Sequence, residues 1–170
     1  MLHDQDLVSV QEVRQKVELA WQAAQAYQSY SQTQVDAIVE AMGAAGRAHA
    51  RQLAEMAVEE TGMGNVEDKT AKNLLNADLL VRSIRGVKTV GILRELPEDK
   101  VIEVGVGVGV VAAILPTTNP TSTAIYKSVI SLKAGNAVVL SPHPRAKNST
   151  CSTAALLIDA ARKAGAPEGI

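Results

Sequence analysis

Residues Val110 to Leu115 are aliphatic or β-branched without alternation, and they stop abruptly at a turn of small polar residues, Pro116-Thr117-Thr118-Asn119-Pro120. The arrangement then repeats. Ala137 to Leu140 is a second short apolar run, and it ends in Ser141-Pro142-His143-Pro144-Arg145. Unalternating runs of this length read as parallel strands buried on both faces. Each is followed by helical spacing. Ile125, Val129 and Leu132 share a face of the first helix, for which Ser122 or Thr123 can serve as N-cap and Gly135 as the stop. A second helix runs from about Asn148 to Ala164. The order is therefore βαβα, an α/β unit whose two strand-end loops lie side by side. Open parallel sheets bind ligands in that crevice.

The first half of the chain reads as helical. Ser9 and Glu12 form a capping-box pattern, with Val10, Val13, Val17, Ala20, Trp21 and Ala24 repeating on one face as far as Tyr27. Ser31 or Thr33 opens a second helix that Gly62 stops. Val35, Ile38, Val39, Met42, Leu53, Met56 and Ala57 face one way along it, and Gly43 to Gly46 is a small-residue segment that lets another backbone approach. A third helix starts at Asn65, carries Glu67 and Asp68 in its first turn and Arg82 and Arg85 in its last, and ends at Gly86. Two strand-like runs, 89–95 and 100–104, flank Leu96-Pro97-Glu98-Asp99 and suggest a hairpin. These readings divide the chain into a helical covering layer (1–87), a β-hairpin arm (88–106) and an incomplete dinucleotide-binding βαβα unit (107–170).

Gly105-Val106-Gly107-Val108-Gly109 has the look of a phosphate-cradling loop but stands on the wrong side of the strand. Such a loop follows a strand and opens a helix; here the glycines precede one, which suits a bend or bulge.

Composition narrows the classes. A net charge of −1 gives no basic surface for nucleic acid, and no window reaches the roughly 18 apolar residues of a membrane span. Met1 to Ser9 includes His3, Asp4 and Asp6 and lacks the basic start and apolar core of a secretory signal, so a cytoplasmic location is the expectation. Cys151, the one cysteine, excludes an internal disulfide. It falls in the first turn of the last helix with no His near it in sequence. Together with His3 and His49 it offers no metal-ligand spacing, and no metal site is expected.

The same residues carry a resemblance. Pro-Thr-Thr-Asn-Pro-Thr at 116–121, Ala134-Gly135-Asn136-Ala137-Val138-Val139 and Ser-Pro-His-Pro at 141–144 resemble the CoA-acylating aldehyde dehydrogenases. The likeness extends to the aldehyde half of the bifunctional aldehyde-alcohol dehydrogenases and to the ethanolamine- and propanediol-pathway enzymes. A separate stretch, Glu60-Thr61-Gly62-Met63-Gly64 with Glu67-Asp68-Lys69 and Lys72-Asn73, resembles the same family. The resemblance implies a Rossmann-like fold and reversible conversion of a short-chain aldehyde, CoA and NAD to an acyl-CoA and NADH. It also implies a homo-oligomer contacted through the hairpin arm. A cysteine beyond Ile170 would be the nucleophile, so the chain is expected to be an N-terminal portion, inactive alone. The alternative is a truncated, non-catalytic module that binds or regulates full-length subunits.

For the site, the resemblance places Leu115, Pro116 and Thr117 beside the cofactor and gives the rest of that turn a share in oxyanion support. Non-acylating relatives have an asparagine two residues after the proline. Here Thr118 holds that position and Asn119 is one further on, so both are catalytic candidates. An Asx turn before Pro120 is the plain alternative for Asn119. At 141–145 the non-acylating relatives carry a lysine and an acidic residue, where this chain has Ser141 and Pro144. Ser141, Pro142, His143 and Pro144 are then candidates for the ribose, and Arg145 for a phosphate of NAD or CoA.

Overall fold

The computed structural model describes residues 4–170, so His3 and the other two N-terminal residues lie outside the described residues. Among the described residues, seven α-helices and four strands run in the order α1 (Gln5–Tyr27), α2 (Gln32–Ala48), α3 (Ala50–Thr61), α4 (Val66–Leu74), α5 (Leu80–Ile84), β1 (Gly91–Leu96), β2 (Val101–Gly105), β3 (Val110–Leu115), α6 (Pro120–Lys133), β4 (Ala137–Pro142) and α7 (Lys147–Lys163). The βαβα unit is present. β3 and β4 pair in parallel, from Val110 opposite Ala137 to Leu115 opposite Pro142, so both strands end at one edge. β1 and β2 form the expected antiparallel hairpin, which pairs with neither β3 nor β4.

β3 departs from the expectation of burial on both faces. Ala113 and Leu115 are buried, but Ala112 is exposed and Ile114 is 75% exposed. Only one face near the strand's end meets a packed layer, so an unalternating sequence here sits in an alternating environment.

Three of the helical boundaries also differ. The first helix starts at Gln5, capped by the Asp4 carboxylate, which accepts from the Asp6 and Leu7 amides. Ser9 is therefore inside the helix, donating its hydroxyl to the Gln5 carbonyl, and does not cap it. Nothing in residues 5–8 breaks a helix, so the earlier cap prevails. On α1 the small residues Ala20, Ala23 and Ala24, with Tyr27, enter the core, whereas Val10, Val13, Val17 and Trp21 of the expected apolar face remain exposed. The helix expected over 31–62 is divided at His49 (φ −111°, ψ 12°), whose Nδ1 lies 2.9 Å from the Ala45 carbonyl. α6 starts at Pro120 with Asn119 as N-cap, in place of Ser122 or Thr123, because proline suits the first helical position. Other caps are as expected. Ser31 and Gln34 make a reciprocal capping box, Gly62 takes the left-handed conformation (φ 66°) and Asn65 caps α4.

α4 and α5 form one rod joined by a single π-helical stretch, Leu75–Leu79. There the small-residue segment of α2 makes the close approach that its composition allows. A Cβ on Gly43 would stand 2.9 Å from the Ala77 carbonyl oxygen, and one on Gly46 would stand 2.9 Å from the Ala77 Cβ. The core fills the space between α1, α2, α6 and α7 with Tyr27, Ile38, Met42, Ile125, Val129, Leu132 and Leu157. Buried Lys133 is neutralised by Asp36 at 2.5 Å. Among the described residues no helix is long and apolar enough to cross a membrane.

Candidate functional site

The parallel pairing brings the two proline turns to one edge. Leu115 is buried and anchors the first turn, Pro116 is exposed, Thr117 is buried, Thr118 is exposed and Asn119 is half-buried. In the second turn Ser141, His143, Pro144 and Arg145 are exposed and Pro142 is half-buried. β4 runs two residues beyond the expected Leu140, so Leu115, Ser141 and Pro142 are the last paired strand residues and the other seven candidates lie on the segments that follow, all at one edge of the sheet.

The first loop and the start of α6 are held by α4 and the π-helical stretch after it, which contribute residues that the sequence alone does not assign to the site. Lys69, 5% exposed, donates from Nζ to the Thr118 carbonyl at 2.7 Å. Lys72 donates to Asn119 Oδ1 at 3.1 Å. Asn73, fully buried, gives its amide N–H to the Ala50 carbonyl at 2.8 Å and accepts the Thr121 hydroxyl at 2.9 Å. Asn76 reaches the Ser122 carbonyl at 2.9 Å. Positions 69, 72, 73 and 76 are spaced i, i+3, i+4, i+7, the signature of a single helical face. An all-polar stripe at these four positions is the signal available in the sequence. Burial, and secondly the neighbouring Lys72 charge, hold the Lys69 ammonium below the usual lysine range.

Asn119 does not close an Asx turn. As N-cap it makes no side-chain hydrogen bond to the helix; its oxygen goes to Lys72 and its Nδ2 to the Thr118 hydroxyl at 3.3 Å. On the second loop His143 does close its own turn, with Nδ1 accepting from the Arg145 amide at 3.1 Å.

The N-terminus of α7 is also already occupied. The Glu60 carboxylate, from the end of α3, accepts from the amides of Asn148 at 2.7 Å and Ser149 at 2.8 Å. Desolvation pushes the Glu60 carboxyl up, but the hydrogen bonds from Ser149 and Asn148 together outweigh it and leave it below its usual range. A depressed carboxylate contributes stability above its unfolded pKa, and that contribution is lost as pH falls through the folded one. Glu60→Gln should therefore lower stability at pH 7 by about 1 kcal/mol, with the gap to the parent closing as pH drops below the carboxylate range. Thermal melts across that range check this; a gap independent of pH would refute it. Cys151 is exposed on α7, apart from both loops in sequence.

The chain is similar to known proteins along almost its whole length. The profile described as "Aldehyde dehydrogenase family" matches residues 2–170. The bifunctional aldehyde-alcohol dehydrogenase AdhE of Escherichia coli is 43% identical over 164 residues, covering 96% of this chain and 18% of that protein. An acetylating aldehyde dehydrogenase from Geobacillus thermoglucosidasius superimposes with a TM-score of 0.96 at 52% identity, over 99% of this chain and 37% of that one. Rhodopseudomonas palustris propionaldehyde dehydrogenase, solved with bound propionyl-CoA, gives a TM-score of 0.75 at 34% identity, covering 92% of this chain and 34% of that one. The chain thus spans well under half the length of these relatives. With two polar loops at the ends of paired parallel strands, and a family match along almost its whole length, this chain belongs to the aldehyde dehydrogenase family.

Proposed function

We propose that these residues form the N-terminal part of an NAD-dependent, CoA-acylating aldehyde dehydrogenase acting on acetaldehyde or another short aldehyde. The observation that carries the reading is the pairing of two polar strand-end loops at one edge of a parallel sheet, in a chain whose relatives include acetylating enzymes. Residues 1–87 serve as cover, 88–106 as the arm for subunit contact and 107–170 as the first part of the dinucleotide-binding unit. The nucleophilic cysteine belongs to sequence beyond Ile170.

The donor set at the strand ends fits a dinucleotide. Exposed Ser141 offers a hydroxyl to a ribose, with Pro142, His143 and Pro144 shaping the wall, and exposed Arg145 offers a guanidinium to a phosphate of NAD or CoA. The amides of Asn148 and Ser149 are committed to Glu60, so the phosphate partner in this loop is Arg145 and not the start of α7. Leu115, Pro116 and Thr117 border the nicotinamide end. NAD, when bound, supplies the hydride acceptor. This chain's part is to orient it and to place hydrogen-bond donors from Thr118 and Asn119 where negative charge develops on the substrate oxygen.

NADH formation from acetaldehyde, with and without CoA, tests the reading. The complete polypeptide that carries these residues should form NADH and acetyl-CoA only when CoA is present, and the 170 residues alone should form none. CoA-independent turnover, or no dehydrogenase activity in the complete polypeptide, would overturn it. Activity of full-length subunits altered by adding the short chain would favour the regulatory alternative.

A further inference from the structure

Two ammonium groups, Lys69 and Lys72, converge on two consecutive residues of the first strand-end loop, and neither has a carboxylate partner among the described residues. Their polar neighbours along the rod have structural destinations: Asn73 donates to the Ala50 carbonyl and accepts the Thr121 hydroxyl, Asn76 donates to the Ser122 carbonyl, Asp78 and Arg82 pair with each other, and Arg85 pairs with Glu40. The Lys72 contact lies on an exposed side chain, and a surface lysine does not by itself hold a fold together. It acts on the orientation of one amide.

A lysine ammonium carries donors only, so the Asn119 atom facing it must be the carbonyl oxygen. Without that contact the amide could turn over, and its oxygen would become available to cap α6, the ordinary role of asparagine at an N-cap. With it, Oδ1 is held on the Lys72 side and the amide turns its N–H donors the other way. One N–H meets the Thr118 hydroxyl, whose own proton is then free to donate. Lys69 fixes the same unit from the other side by holding the Thr118 carbonyl.

We infer that Lys72 is a positioning residue for the reaction: by holding Asn119 Oδ1, it turns the Asn119 amide donor-side outward and keeps it from capping α6. The positive charge beside Oδ1 also polarises the amide, so its N–H groups become stronger donors toward a developing oxyanion. The inference rests on the proposed acylating dehydrogenase activity.

The test is a double-mutant cycle on kcat in the complete enzyme, with Asn119→Ala, Lys72→Met and the pair. Asn119→Ala should lower kcat by about a hundredfold. Lys72→Met should lower kcat by about tenfold with little change in the KM for aldehyde or NAD, and should have almost no further effect in the Asn119→Ala background. Lys72→Arg, which keeps a donor and the charge, should restore most of the loss. A merely structural lysine would give additive losses and an equal drop in thermal stability. Two failures are distinguishable. If Asn119→Ala leaves kcat unchanged, the reading of this loop as oxyanion support falls, and the inference with it. If Asn119→Ala is damaging but Lys72→Met is neutral or additive, only the positioning role is overturned.

Discussion

Replacing Asn73 by alanine should destabilise the protein by about 4 kcal/mol, because two buried groups lose their Asn73 partner at once. Asn73 is completely enclosed and joins three elements: its own helix α4, the Ala50 carbonyl at the division between α2 and α3, and the Thr121 hydroxyl in the first turn of α6. The truncation leaves the buried Thr121 hydroxyl without its acceptor and the Ala50 carbonyl with only the hydrogen bond of its own helix, and it opens a cavity in a dry interior. Asn73→Asp should fare no better, since a carboxylate cannot donate to Ala50 and would be a buried, unpaired charge. Urea unfolding of parent and variants provides the comparison. A loss below about 1 kcal/mol would mean that water enters and satisfies both groups.

Gly107→Ala ranks second in expected effect, at about 3 kcal/mol. An added methyl would run into the Gly135 carbonyl, with its carbon at 2.7 Å, and would also meet Asn136 Oδ1 at 3.2 Å. That obstacle is backbone, at the turn between α6 and β4, and it cannot rotate aside. The same Asn136 oxygen accepts the amides of Val108 at 2.6 Å and Gly109 at 3.1 Å, so the damage would spread to the entry of β3. Gly62→Ala is the control. Its methyl meets nothing within 4 Å and it suffers only its positive φ, so its loss should stay near about 1 kcal/mol. Equal losses at the two positions would show that backbone conformation, and not collision, dominates at Gly107.

Much of this architecture is legible in the sequence because its signals are local. Ser31, Gly62, Asn65 and Gly135 start or stop their helices through chemistry within a turn of themselves. The two strand–turn–helix units follow from run length and proline. The order of glycines and strand at 105–109 argues against a phosphate loop, and the contact of Gly107 with Gly135 gives at least one of those glycines a packing reason. Local signals fail where distant residues decide. Whether Val10, Val13 and Val17 are covered depends on the surface opposite them, which helical periodicity does not contain. Ser9 and Glu12 match a cap pattern, yet Asp4 stands upstream with no breaker between. At the site, the loops can be located from sequence, but nothing local joins Lys69 and Lys72 to them, because 47 to 49 residues separate the partners. Both lysines and Asn73 stand in the motif that carries the family resemblance, and only the folded chain gives them a task.

The π-helical stretch between α4 and α5 has a mechanical meaning for the fold. A π turn accommodates one residue more than the α-helix around it, and each added residue rotates the remainder of the helix by about 100°. The rod therefore carries a built-in change of phase. Ahead of it, Lys69, Lys72 and Asn73 address the first strand-end loop and the start of α6; behind it, Val81 enters the core and Arg85 grips Glu40 of α2. A continuous α-helix would set the two halves at a different angle about their common axis. The five residues Leu75–Leu79 thus behave as a keyed coupling: they let the lysine-bearing end be aimed at its loop while the other end stays locked in the bundle.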